Sequence, residues 1–162
     1  MKYSILTILT LFLSSNLLFA QDTIEEKAIE EKAIEKQGLR PMARIVSAAV
    51  AGVNPDEMGL GPIPATKIAL QRANLLVDDL DVIELNEAFS SQSLACIDEL
   101  DLPMEKINID GGAIAIGHPL GASGARIVGK TASLLQRTGG RYGLATMCIG
   151  GGMGIATILE RV

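Results

Sequence analysis

The sequence predicts an α/β fold, a mixed sheet covered by helices in the order β-α-β-α-β-α-β-β. Three observations predict it. From Gly38 onward, short apolar runs alternate with longer stretches of helical periodicity. Of 162 residues, 48% are apolar and 20% charged, the balance of a chain that buries a core. The 17 glycines crowd into the last third, where they imply tight turns and close backbone approach.

The elements follow in order. Ala43 to Val53 is a run of small apolar residues that suits a buried strand. Gly61-Pro62 and Pro64 punctuate the chain, and Ala65 to Leu75 reads as a helix. Val82 to Leu85 is a short strand, and Ser90 to Leu100 an amphipathic helix carrying Leu94, Ile97 and Leu100. Ile107 to Ile109 reads as a further strand leading into Gly111-Gly112. Ser123 to Arg137 is a long helix capped by Gly139-Gly140. Tyr142 to Ile149 and Ile155 to Leu159 are the last strands, joined through Gly150–Gly154.

Two segments precede this region, 38–162. Residues 1–20 have a minimal basic start at Lys2, an apolar stretch Ile5–Leu13 interrupted by Ser14, Ser15 and Asn16, and Leu18-Phe19-Ala20 ahead of Gln21. That pattern predicts a secretory leader cleaved near Ala20, and it is too short and interrupted for a stable membrane span. Residues 21–37 contain a charged near-repeat, Glu-Glu-Lys-Ala-Ile-Glu followed by Glu-Lys-Ala-Ile-Glu-Lys, which predicts a helical linker or a partner helix.

Composition excludes several functions. The net charge is −5 and no Lys/Arg run is present, so nucleic acid is not an expected partner. Two cysteines and one histidine cannot build a disulfide framework or a multi-histidine metal site within a single chain.

Three loops carry chemistry, each at or just after an expected strand end, where open α/β sheets place their sites. Asn86-Glu87-Ala88-Phe89 can hold a water or carbonyl oxygen through Asn86, or can simply cap the next helix. Gly111 to Gly124 sets His118 between Gly117 and Pro119, on a rigid turn ahead of a helix. Such an imidazole can accept a thiol proton or donate to a developing oxyanion. Cys148-Ile149-Gly150-Gly151-Gly152 places a thiol beside backbone N–H groups able to stabilise thiolate or enolate charge. A buried inert thiol is the alternative there. A fourth match, Gly124 to Thr131, fits the nucleotide-binding pattern G-x-x-x-x-G-K-T. That pattern needs a loop, whereas Ile127, Val128, Thr131, Leu134 and Leu135 continue a helical apolar face through it.

Taken together, these loops resemble the thiolase family. The resemblance lies in Gly38–Ile45, Met58-Gly59-Leu60-Gly61-Pro62-Ile63-Pro64, Ile83–Phe89, Gly111–Arg126 and Tyr142–Gly154, and it covers almost everything after Gln37. Cys148-Ile149-Gly150 separates the chain from the related ketoacyl synthases. The resemblance implies the C-terminal half of an acyl-CoA acyltransferase of the acetyl-CoA C-acetyltransferase type. Such enzymes make or cleave 3-ketoacyl-CoA by Claisen chemistry. His118 would activate the acyl-accepting cysteine and donate to the thioester oxygen. Asn86 would hold a water in the same oxyanion hole. Cys148 would move the α-proton, with its pKa brought from about 8.5 toward neutrality by the polar turn. Gly150 N–H would serve a second oxyanion hole, and Met58 and Phe89 would line the acyl and pantetheine passage.

CoA thioesters are then substrates, and no cofactor or metal is required. The expected partners are acyl-CoA and either a complementary N-terminal half or a second copy. In the family the first half carries the nucleophilic cysteine, so this chain is expected to be inactive alone. A non-catalytic acyl-CoA or protein-binding module and a non-functional truncated fragment are the other expectations. The leader predicts secretion, and the resemblance predicts a cytoplasmic enzyme.

Overall fold

The computed structural model describes residue 32 and residues 34–162. The leader over 1–20 and most of the 21–37 linker lie outside the described residues. The described end of the linker is helical through Gln37 and stops at Gly38, whose φ of 62° is left-handed. The chain divides between Pro41 and Met42, and the sheet with its covering helices belongs entirely to the body from Met42 onward.

Four strands form one sheet in the order β1-β4-β3-β2. They are β1 (Ala43–Gly52), β2 (Leu80–Leu85), β3 (Tyr142–Cys148) and β4 (Met153–Arg161). β1 and β3 each pair antiparallel with β4, and β2 pairs parallel with β3. The helices are α1 (Pro62–Ala73), α2 (Ser90–Leu100), the short α3 (Ala113–Ile116) and α4 (Leu120–Thr138). Pro62 stands at the start of α1, where a missing N–H costs nothing, and Gly139 ends α4 in the left-handed region. The α/β class is the one the sequence predicts.

Side-chain alternation sorts the core into two layers. Ile83, Leu85, Leu144, Ala156 and Ile158 point toward α1 and α2, among Ile63, Ala69, Leu70, Cys96 and Leu100. Val82 and Leu159 meet Leu134 and Leu135 of α4 on the other face, and Ala145 and Met147 meet Ile127 there. The nucleotide-loop pattern Gly124–Thr131 lies wholly inside α4, with no loop to cradle phosphate.

Two expected strands differ from the structure. Ala43–Val53 is not a buried strand. β1 pairs only with β4 at the sheet edge, leaving Ile45 64% and Val50 56% exposed. A run of small apolar residues does not disclose how many neighbours a strand has. The expected strand Ile107–Ile109 is reduced to one parallel bridge between Ile83 and Ile107. Asn108 then turns to a φ of 44°, and its side chain takes over the pairing. Asn108 Nδ2 donates to Leu85 O at 2.8 Å, and Oδ1 accepts from Leu85 N–H at 3.0 Å. An amide side chain thus supplies the two bonds that the next residue of a strand would have made.

Candidate active site

Parallel pairing of β2 with β3 sets Leu85 opposite Thr146, so both strands end at the same side of the sheet. Asn86 N–H donates to Thr146 O at 3.0 Å and fixes the first residue beyond β2. Asn86 follows Val82 and Glu84 on the face covered by α4, and its side chain is fully buried. It does not cap α2: Phe89 holds the N-cap position there, with no side-chain capping bond.

His118 reaches this point from the other direction. Gly117, with a φ of 92°, turns the chain out of α3, and Pro119 leads into α4. Asn86 Nδ2 lies 3.4 Å from His118 Nε2. On the far side of the ring, Nδ1 lies 2.6 Å from Ser123 Oγ. The Ser123 hydroxyl donates to Pro119 O at 3.2 Å, four residues back along the chain. A buried serine therefore braces the ring from behind, and a buried amide meets it in front.

Cys148 ends β3 beside the same strand ends, but from the opposite face of the sheet. Thr146 Oγ1 lies 3.3 Å from Thr66 Oγ1 of α1, and alternation carries Cys148 to that same side. Two of the three predicted side chains thus touch, and the third, Cys148, ends the neighbouring strand on the other face. A group serving all three must lie beyond the carboxyl edge of the sheet, in the crevice typical of this architecture. Burial pushes the Cys148 thiol up, partly offset by a backbone N–H. The expected fall toward neutrality is not what the turn produces: desolvation of the thiolate outweighs the dipoles facing it.

Gly150, Gly151 and Gly152 have φ of 81°, 60° and 80°, a succession that side chains disfavour, and Gly150 O and Gly152 O accept from Met153 N–H and Val53 N–H. A Cβ at Gly150 would meet nothing within 4 Å. Met58 sits half-buried in a 3-10 turn spanning Pro55–Leu60, and Phe89 is 64% exposed at the start of α2. Gly59 packs this turn against Gln92 of α2, bringing the two elements together.

Sequence reasoning missed three supports. Ser123 was visible only as part of a small-residue run. Glu87 accepts from Asn108 Nδ2 and from Ile114 N–H, each at 2.8 Å, and so ties the Asn86 loop to α3. Glu84 is fully buried, with Arg126 Nη1 3.9 Å away and neither carboxylate oxygen hydrogen-bonded. Desolvation raises its pKa to about 7, against the attraction of Arg126 and Lys130. Cys96 lies mid-helix in α2, fully buried, with Sγ 3.5 Å from Gly59 O. Among the described residues, no cluster of three or more His, Cys, Asp or Glu side chains is arranged to hold a metal ion.

The fold is an open α/β sheet with Asn86 and Cys148 at adjacent strand ends and His118 on the α3–α4 loop, and comparison with known proteins assigns the family. The profile of the thiolase C-terminal domain matches residues 39–161, so the chain belongs to the thiolase family. It is 57% identical over 126 residues to beta-ketothiolase BktB of Cupriavidus necator, covering 78% of this chain and 32% of that protein. It is 59% identical over 128 residues to the 3-oxoadipyl-CoA/3-oxo-5,6-dehydrosuberyl-CoA thiolase of Escherichia coli, again covering 78% and 32%. The human mitochondrial 3-ketoacyl-CoA thiolase in complex with CoA superposes with a TM-score of 0.79 and 48% identity, covering 82% of this chain and 34% of that one. The Bacillus anthracis acetyl-CoA acetyltransferase gives the same TM-score of 0.79 at 44% identity, with the same coverage of 82% and 34%. The chain spans about a third of the length of the curated relatives it matches.

Proposed function

We propose that this chain supplies the C-terminal half of a thiolase active site, acting on 3-ketoacyl-CoA and acyl-CoA by Claisen condensation and its reverse, thiolysis. The observation that carries this reading is the Asn86–His118 pair, 3.4 Å apart at the strand ends. The chemistry follows from an α-proton that is only weakly acidic, so the enolate needs stabilisation as it forms. In condensation, Cys148 removes a proton from the α-carbon of acyl-CoA. His118 and a water on Asn86 hold the enolate oxygen. The α-carbon attacks an acyl thioester on a second cysteine, whose tetrahedral oxyanion faces Gly150 N–H, and that cysteine leaves as thiolate. Thiolysis runs the same steps backward. A thiol whose pKa is pushed up by burial suits this direction, because it arrives holding the proton it returns to the α-carbon. Met58 and Phe89 line the approach of the acyl chain and pantetheine.

The acyl-carrying thiol comes from outside these 162 residues, since Cys96 is sealed in the core and Cys148 has the other task. The partner is therefore a nucleophile-bearing N-terminal half, and its seat includes the exposed apolar residues Phe89, Ile114, Ile116 and Leu120. Alone the chain is expected to be inactive. Export through a leader at 1–20 is a separate part of the proposal, resting on sequence pattern only. Mixing the purified chain with an N-terminal thiolase half and measuring thiolysis of acetoacetyl-CoA tests the reading. The expected result is turnover in the mixture, lost by about 100-fold or more in H118A and C148A. A well-folded complex without turnover would overturn it.

A further inference from the structure

The sequence holds one histidine, His118, and both its ring nitrogens have neighbours. Ser123 Oγ carries a single proton. Along α4 that proton points at Pro119 O, 3.2 Å away, as hydroxyls in helices commonly bond the carbonyl four residues back. A hydroxyl that gives its proton to Pro119 O accepts from the ring, and this arrangement puts a hydrogen on Nδ1, 2.6 Å away. On the other edge, Asn86 Nδ2 is a donor, so Nε2 at 3.4 Å presents its lone pair. The contacts then run hydroxyl to carbonyl, imidazole to hydroxyl and amide to imidazole, with Asn86 Oδ1 buried and without a partner.

We propose that Ser123 is a positioning residue that locks neutral His118 as the Nδ1–H tautomer and so reserves Nε2 as the base of the site. It deepens the acyltransferase reading and rests on it for the role of Nε2. When a thiol S–H approaches, its proton moves to Nε2, leaving a thiolate and an imidazolium whose Nδ1–H stays on Ser123. Nε2–H is then a donor, available to the oxyanion that develops next. One fixed ring serves first as base and then as oxyanion donor, without a flip. Ser123 and Asn86 are both fully buried, so solvent does not compete for either contact. The opposite tautomer would have the Ser123 hydroxyl donate to Nδ1 and the Asn86 amide turned so that Oδ1 accepts from Nε2–H.

The test is a nitrogen NMR spectrum of the full chain labelled with 15N-histidine, recorded at about pH 8.5. A single histidine makes the two ring signals unambiguous. The expected wild-type spectrum has a protonated-type Nδ1 and a bare-type Nε2. S123A is expected to move the population toward Nε2–H, and S123T, which keeps the hydroxyl, to restore it. In the complex with an N-terminal half, S123A should lower kcat/KM about tenfold, with S123T recovering most of it. A wild-type spectrum dominated by Nε2–H overturns the proposal, and it needs no variant to fold. An S123A spectrum identical to wild type overturns it too. A wild-type spectrum as expected, beside a complex without turnover, sinks the acyltransferase reading while leaving the positioning role of Ser123 in place.

Discussion

At the scale of single residues, the fold is sensitive where backbones touch and tolerant where they do not. Gly61 and Gly154 face each other across the start of α1 and β4: a Cβ on Gly154 would overlap the backbone of Gly61 and the nitrogen of Pro62, and a Cβ on Gly61 would lie 2.5 Å from the carbonyl of Met153. No flexible side chain is available there to move aside. Gly129 is the contrast, a helical residue in α4 with nothing within 4 Å of an added Cβ. Urea denaturation of the chain should show G154A destabilised by about 3 kcal/mol. G129A should be more stable by about 1 kcal/mol, the gain of replacing glycine in an exposed helix. A loss in G129A would mean that the segment is not a helix, and would reopen the nucleotide-loop pattern. Residue-scale chemistry was partly legible. His118, Asn86 and Cys148 announce themselves by their glycine and strand-end settings. Ser123 does not, because a serine among Gly121, Ala122 and Gly124 looks like any small helix residue until the ring nitrogen is seen beside it.

At the scale of elements, α4 packs on β2 with a buried acid, Glu84, between them. Glu84 on β2 faces Arg126 of α4 without a hydrogen bond, and the groups that also act on it are Lys130, Asp110 and Glu87. Further along α4, Lys130 and Arg137 both reach Asp110, which keeps that carboxyl well below the usual carboxylate range. The two acids therefore act in opposite senses. Glu84 has a folded pKa of about 7 against an ordinary 4.5, so the native state holds its proton more tightly. Its contribution to stability is full below about 4.5 and is lost as pH rises through 7. Asp110, held down by its cations, contributes above the ordinary carboxylate pKa and loses that contribution as pH falls. Melting temperatures of E84Q and wild type should converge at low pH, with the variant gaining on wild type between about pH 4.5 and 7. A difference that stays constant across that window would show Glu84 to be ionised throughout. The helix bounds were well foreseen where caps are simple: Ser90–Leu100 was expected and found, and Gly139 closes α4. No periodicity foretells the pairing of Glu84 with Arg126, because a charged residue in a short apolar strand gives no sign of what lies above it.

At the scale of the whole molecule, the alternating order of apolar runs disclosed an α/β sheet, but not the position of each strand within it. β1 is as apolar as a central strand and yet stands at the edge. Sheet order is decided by which neighbours are nearest once folded, and a linear pattern does not hold that information. Among the described residues, no helix is long and apolar enough to cross a membrane. The leader proposed over 1–20 is open to direct measurement. Expressed in a secreting bacterial host, the chain should yield an intact mass that begins at Gln21. A mass that begins at Met1 would remove export from the proposal. The opposite margin of the sheet bears a different mark, set by Asn108. Its amide answers both hydrogen-bonding groups of Leu85, and its own N–H satisfies Ile83 O at 2.8 Å. At Ile83 and Leu85 the ladder is thereby stoppered: another chain arriving there finds those rungs taken, whereas β1 forms the other edge of the sheet.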